Sequence, residues 1–372
     1  MIDDKYILIP KTNLENMHWI NPLNESVSFY GAYFIKENKD YTRLPISKEK
    51  YLMAASSKCY NLGKCSSGVQ LHFITNSSSL VLHAIVPNTA GLSGMAWTGQ
   101  AGFDCYVGKT YDDLKFIDTS RCYPISAEYE YTLFKDFGNE DKLVVINFPL
   151  YNKVEGLHLA IDDGSYVKEP HLGFGEKYRI AIYGTSITQG GYASRPGLAY
   201  TNILSRRLKA EFFNFGFSGN AFGEKEYAAV LASMENISMY IINYEANGGT
   251  NGKLEATLEE FIKTIREKHK TTPIVVCSRI KYLLDEMFKE TLGQRRERIR
   301  SFQENLVKEL SKVDHHLYYI NGQKLMGEEY YEYTVDNIHP NDLGFMQIAN
   351  SMEKEIKEIF KKEEKENGKV NR

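Results

Sequence analysis

Apolar and polar positions along this 372-residue chain follow two different periods, with the change near residue 165. Before it, short runs rich in β-branched and aromatic residues recur at 69–75, 80–86, 103–107, 128–134, 142–148 and 157–161. Turn-forming clusters separate them: Asn76-Ser-Ser-Ser, Asn88-Thr-Ala-Gly, Gly138-Asn-Glu-Asp and Asp162-Asp-Gly. Short strands at this spacing, with no helical period between them, predict an all-β sandwich or jelly roll.

From Lys177 the pattern alternates. The run 179–183 is apolar after Arg179 and ends at Gly184, as expected of a strand buried on both faces. Further strand-like runs at 212–215, 239–243, 273–278 and 317–320 alternate with helical periods at 199–209, 224–234, 254–268, 294–312 and 342–361. Strand and helix in alternation predict a doubly wound α/β domain with a parallel sheet, its ligand site beyond the carboxyl ends of the strands. At 372 residues the chain exceeds what one hydrophobic core organises, so two domains are expected: a β-sandwich over 1–172 and an α/β domain over 173–372.

Composition narrows the partners. A net charge of −3 argues against a nucleic-acid or anionic-membrane surface as the main partner. No apolar run approaches the ~18–20 residues a membrane span needs, and the opening MIDDKYILIPKTN lacks a basic segment followed by an apolar one. The five cysteines, Cys59, Cys65, Cys105, Cys122 and Cys277, show no metal-ligand spacing; Cys59 and Cys65 could bridge, but reduced thiols in a cytoplasmic protein are the expectation. No cofactor or metal is called for, and a homo-oligomer remains open.

The chemistry-bearing residues sit at strand ends. Gly184-Thr-Ser186-Ile-Thr188 places a serine just after a buried strand, with Gly190-Gly191 behind it. A serine hydroxyl needs an adjacent base to become a nucleophile, and that base needs an orienting carboxylate. Asp336-Asn-Ile-His339-Pro, ahead of the last helix, offers both in one loop. Donors for an oxyanion are available after two other strands: the N–H of Gly219 in Asn214-Phe-Gly-Phe-Ser-Gly-Asn220, and the amide of Asn247, with Asn243 four residues earlier as the alternative. Each segment alone is what ordinary turns and caps look like. Their order along an α/β chain is what points to acyl transfer.

That order resembles the SGNH (GDSL-like) hydrolase superfamily, named for its Ser, Gly, Asn and His blocks. The blocks fall on Ser186, Gly219, Asn247 and His339, over roughly 178–352. A narrower resemblance, through Ser194-Arg-Pro-Gly-Leu-Ala-Tyr and Gly216-Phe-Ser-Gly-Asn220, is to a subgroup with an N-terminal β-domain bearing a Gly-x-Asp-Leu-Tyr signature. Gly102-Phe-Asp-Cys-Tyr106 is similar, with Cys105 in place of leucine. Thr185 stands where many members have Asp, and Glu245-Ala-Asn-Gly248 departs from the usual Gly-x-Asn-Asp.

The resemblance implies a flavodoxin-like sheet and a serine esterase. Ser186 would be the nucleophile, His339 base then acid, Asp336 its orienting group, and the Ser186 and Gly219 N–H groups with Asn247 the oxyanion hole. It implies an acetylated oligosaccharide as substrate, with a short-chain acyl or lysophospholipid esterase as the alternative. A carbohydrate-binding protein with an inactive hydrolase domain is the reading of a different class. The aromatic content, 26 Tyr and 19 Phe, agrees with a sugar surface. Trp97, Tyr192, Arg195, Tyr244 and Glu245 are the candidate substrate contacts.

Overall fold

The computed structural model describes residues 14–87, 91–122 and 125–370, so the N-terminal segment and all but Gly91 of the turn predicted over 88–91 lie outside the described residues. Among the described residues, ten strands form the first half: β1 (Met17–Ile20), β2 (Ser28–Tyr30), β3 (Gln70–Thr75), β4 (Leu80–Ile85), β5 (Asp104–Gly108), β6 (Lys115–Thr119), β7 (Glu128–Phe134), β8 (Lys142–Asn147), β9 (Gly156–Asp162) and β10 (Val167–Lys168). They make two antiparallel sheets, ordered β1-β9-β4-β7 and β10-β3-β8-β5-β6, with β2 added beside β3. Period-two patterning buries alternate side chains between the sheets. Leu71, Phe73, Val144, Ile146 and Phe148 face Leu80, Leu82, Tyr131 and Leu159 in one core.

The second half is a five-stranded parallel sheet ordered β12-β11-β13-β14-β15, from β11 (Arg179–Gly184), β12 (Glu211–Gly216), β13 (Met239–Asn243), β14 (Ile274–Cys277) and β15 (Leu317–Ile320). Successive residues of β11 serve opposite cores. Ile180 and Ile182 join the one beneath helices Tyr200–Leu208 and Asp342–Val370. Ala181 and Tyr183 join the other, against Lys225–Ala232 and Lys253–Lys268. Each fully buried apolar side chain contributes about 1.5–3 kcal/mol, which is why this strand reads as one apolar run. The strand order turns back on itself around β11, where a doubly wound sheet opens a crevice at its carboxyl ends.

One expectation for the first half is corrected. A 15-residue helix, Glu49–Gly63, interrupts the strands. Its period is broken by Ser56, whose φ −158° and ψ 101° are not helical, and its buried residues are few. Packing holds it: the Tyr227 hydroxyl donates to the carbonyls of Leu52 and Ser56, and Leu52, Cys59 and Tyr60 enter the core beneath the parallel sheet. Cys59, Cys65, Cys105 and Cys277 are free thiols. Among the described residues, no helix is long and apolar enough to cross a membrane.

Candidate active site

At the end of β11 the chain turns into a one-turn helix, Ser186–Gln189. Gly184 permits the turn, because a Cβ there would lie 2.1 Å from Thr188 Oγ1. Two hydrogen bonds close the turn behind the serine, from Gly190 N–H (3.0 Å) and Gly191 N–H (2.8 Å) to the Ser186 carbonyl. The Asn214 amide, on β12, donates to the Thr188 carbonyl at 2.6 Å and fixes this helix against its neighbouring strand. Ser186 itself is 9% exposed.

The partner loop is shaped by its own backbone. Thr334 bridges Pro340, Val335 N–H donates to His339 O, and Asn337 takes a left-handed φ of 64°. Asn341 then opens the last helix, accepting from Gly344 N–H at 3.0 Å. Within this loop Asp336 Oδ1 accepts the N–H of His339 (2.7 Å) and of Ile338 (3.1 Å), while Oδ2 lies 2.7 Å from His339 Nδ1. The far ring nitrogen, Nε2, is 2.8 Å from Ser186 Oγ. A carboxylate on Nδ1 selects the tautomer with its proton there and leaves Nε2 as the acceptor facing the hydroxyl. Partial burial alone would raise the Asp336 carboxyl, but the His339 and Ile338 donors outweigh it and hold it below the ordinary carboxylate range.

The two other blocks meet at the same edge of the sheet. Gly219 is exposed at a turn after β12, with φ +68° and open space where a Cβ would be. Asn247 ends a short helix, Glu245–Gly248, after β13. Hydrogen bonding orients its amide with the oxygen accepting from Asn220 N–H (3.0 Å) and Ala221 N–H (3.1 Å), which turns Nδ2 the opposite way. Asn243 instead lies with Ile187 and Arg279 around a small pocket beside the Ser186 turn.

Of the five candidate substrate contacts, Tyr192 alone lies at the Ser186–His339 pair. Its ring stacks on His339 with centroids 4.7 Å apart, and its backbone holds a left-handed φ of 75° to do so. The other four have different neighbours. Trp97 turns its ring edge to Tyr129 and packs on the sandwich core. Tyr244 is buried beneath the sheet with its hydroxyl on Thr257. Glu245 is 2% exposed; it accepts from Arg279 N–H and Gln303, and burial pushes its carboxyl up. Arg195 reaches into the β-sandwich, donating to Asp104 Oδ2 at 2.7 Å and Tyr106 at 2.6 Å. Asp104 also accepts from Gly197 N–H and Asn147. Gly102-Phe-Asp-Cys-Tyr106 is thus a joint between the two halves: the sequence displayed the signature but not what it grips.

Comparison with known proteins adds the family. Residues 177–357 match the GDSL-like Lipase/Acylhydrolase family, and residues 17–167 match the GxDLY family, the N-terminus of SGNH hydrolase-type esterases. A structure from Bacteroides ovatus, assigned as a GDSL-like lipase, is 27% identical, covers 93% of this chain and 98% of its own, and superposes with a TM-score of 0.84. The salicylyl-acyltransferase of a tetracycline biosynthetic pathway is 19% identical over 92% of this chain and 98% of its own, with a TM-score of 0.75. A family two carbohydrate esterase from Cellvibrio japonicus is 14% identical over the same shares, with a TM-score of 0.58. The last two identities speak for the fold alone. No curated protein sequence matches the chain.

Proposed function

The chain belongs to the GDSL-like lipase/acylhydrolases and carries the N-terminal domain of SGNH-type esterases; from that premise we propose that it is a serine esterase that removes O-acyl groups, acetyl above all, from carbohydrates. The observation that carries the reading is the relay from Ser186 Oγ through His339 to Asp336, at 2.8 and 2.7 Å. In the proposed reaction Ser186 Oγ bonds to the ester carbonyl carbon while its proton passes to His339 Nε2. The oxyanion is held by the N–H groups of Ser186 and Gly219 and by Asn247 Nδ2. Its collapse breaks the bond to the alcohol oxygen, which leaves with the proton from Nε2. Water then repeats the sequence on the acyl-enzyme and frees the acid and Ser186. Asp336 keeps the proton on Nδ1 and stabilises the imidazolium, and Tyr192 backs the ring. The same reading divides the chain at 172/173 into a β-sandwich domain and a hydrolase domain.

The narrow exposure of Ser186 favours a small acyl group, and carbohydrate esterases are among the proteins that share the fold. A second reading, an esterase of longer or aryl acyl groups, is favoured by exposed apolar side chains on the loop that carries Asp336 and His339: Val335 and Ile338. Acetate release from acetylated xylan, mannan and pectin oligosaccharides, run beside p-nitrophenyl esters of rising chain length, tests both. Acetate release lost in Ser186→Ala supports the first reading. Activity that rises with acyl length moves the substrate to apolar esters. No Ser186-dependent turnover on any of them refutes the esterase.

A further inference from the structure

The glycine block lies at the end of β12, which is the edge strand of the parallel sheet. An edge strand presents carbonyls and N–H groups without partners, and its end is free to shift unless something covers it. Here one side chain of the N-terminal half, Arg43, takes up carbonyls of that edge. Arg43 Nη1 donates to the carbonyls of Asn214 (2.6 Å) and Gly216 (3.0 Å), two residues apart on the outer side of β12. Its Nε donates to Cys65 O at 2.8 Å and Nη2 to Leu62 O at 2.6 Å, so the guanidinium ties a loop of the first half to the strand that leads into Gly219. The cation also lies 5.4 Å from the centre of the Phe217 ring, within the turn itself.

Two features set this arginine apart from an ordinary surface clasp. It is 1% exposed, and among the described residues its partners are carbonyls and no carboxylate, so its charge is uncompensated by an ion pair. Burial draws it down to about 10, which still leaves it charged at neutral pH. Neighbouring contacts from the same half grip the same turn: Cys59 Sγ donates to Asn220 O at 2.9 Å, and Gln189 links Leu150 O to Ser218 N–H. The Tyr151 hydroxyl reaches the Ser186 carbonyl at 3.4 Å.

We propose that Arg43 is a positioning residue for the oxyanion hole: it fixes the end of β12 so that Gly219 N–H is aimed before substrate arrives, and adds a buried positive charge beneath that turn. The N-terminal half is then part of the catalytic apparatus, not an appended module. This rests on the esterase reading, with Gly219 as a donor. An oxyanion donor acts only in the transition state, so misplacing it lowers kcat and leaves ground-state binding alone. A clasp needed only for folding lowers the amount of active enzyme and leaves each remaining site unchanged.

The experiment compares wild type, Arg43→Met and Arg43→Lys, with active sites counted by fluorophosphonate labelling of Ser186. Steady-state ester hydrolysis and inhibition by phenylboronic acid, whose serine adduct is tetrahedral, are then measured. For Arg43→Met, kcat per labelled site falls about 10- to 100-fold, KM stays within about twofold, and the boronate Ki rises with the fall in kcat. Lysine keeps the charge but cannot span four carbonyls, so Arg43→Lys falls in between; it carries the test by itself if the methionine variant does not fold. An unchanged kcat per labelled site, or a lowered kcat with an unmoved boronate Ki, overturns the inference while wild-type turnover keeps the esterase reading. A wild type with no Ser186-dependent turnover overturns both.

Discussion

The joint between the halves can be tested quantitatively through Asp104. Its side chain is fully buried while that of Arg195 is 17% exposed, and its carboxylate serves Arg195, Gly197 N–H and Asn147 together. Asp104→Ala leaves all three donors without their acceptor and a guanidinium in a largely dry site. Removing one partner of a buried pair costs about 3–5 kcal/mol. Unfolding entropy of about 2.1 cal/mol/K per residue gives about 0.8 kcal/mol/K for 372 residues, so Tm should drop by about 4–6 °C if the chain melts as one unit. Scanning calorimetry at pH 7 on Asp104→Ala, Arg195→Met and the double variant supplies the answer. The double variant should cost less than the sum of the singles, because the second substitution removes a charge the first has already orphaned. Steady-state kinetics on Arg195→Met should show an unchanged KM. A Tm within about 1 °C of wild type for Asp104→Ala, or a KM that rises in Arg195→Met, would refute the assignment of this pair to the joint rather than to substrate.

Asp336→Asn should retain more ester hydrolysis than His339→Ala, because the carboxylate orients and stabilises the base whereas the imidazole carries the proton; equal residual rates would contradict those roles. Ser186→Ala should abolish turnover and fluorophosphonate labelling with Tm unchanged, checked by melting and mass spectrometry of the labelled protein. His72, buried among Tyr30, Tyr111 and Phe174, is pulled down to about 3 by burial. Its folded pKa is depressed, so the stability tied to its neutral form is complete above the unfolded value of about 6.5 and is lost as pH falls towards 3, by up to about 1.4 kcal/mol per pH unit. The fall of Tm between pH 6.5 and 4 should therefore flatten in His72→Phe; an identical slope would show that other groups carry the acid sensitivity.

How legible the molecule was depends on the range over which each feature is decided. The six strands expected before residue 165 and the five after 177 are all present, because period-two and continuous apolar runs are local signals that burial enforces. The strands β1, β2, β6 and β10 are short or exposed and left no such pattern. Helix Glu49–Gly63 was unreadable because its period breaks at Ser56 and its support comes from Tyr227, far along the chain. The loops that carry Ser186, Gly219, Asn247 and the Asp336–His339 pair were visible as turns because turns demand glycine, asparagine and aspartate at set offsets. What those loops meet was not visible. Arg195, Tyr244 and Glu245 look like cleft residues by position, yet Asp104, Thr257 and Arg279 turn them elsewhere.

The sequence by itself determined the two periods, hence a β-sandwich followed by a doubly wound sheet, and displayed the turn segments from which the acyl-transfer site is proposed. Those are consequences of side-chain alternation and turn chemistry, which act within a few residues. Only the tertiary structure decided that Ser186 and His339, 153 positions apart, come to 2.8 Å. It alone decided that the Gly102-to-Tyr106 signature grips Arg195, and that Arg43 binds the carbonyls at the end of the strand leading to Gly219. Long-range pairings of this kind leave no periodic trace, because a buried cation needs carbonyls at the right places in space and the chain can supply them from anywhere.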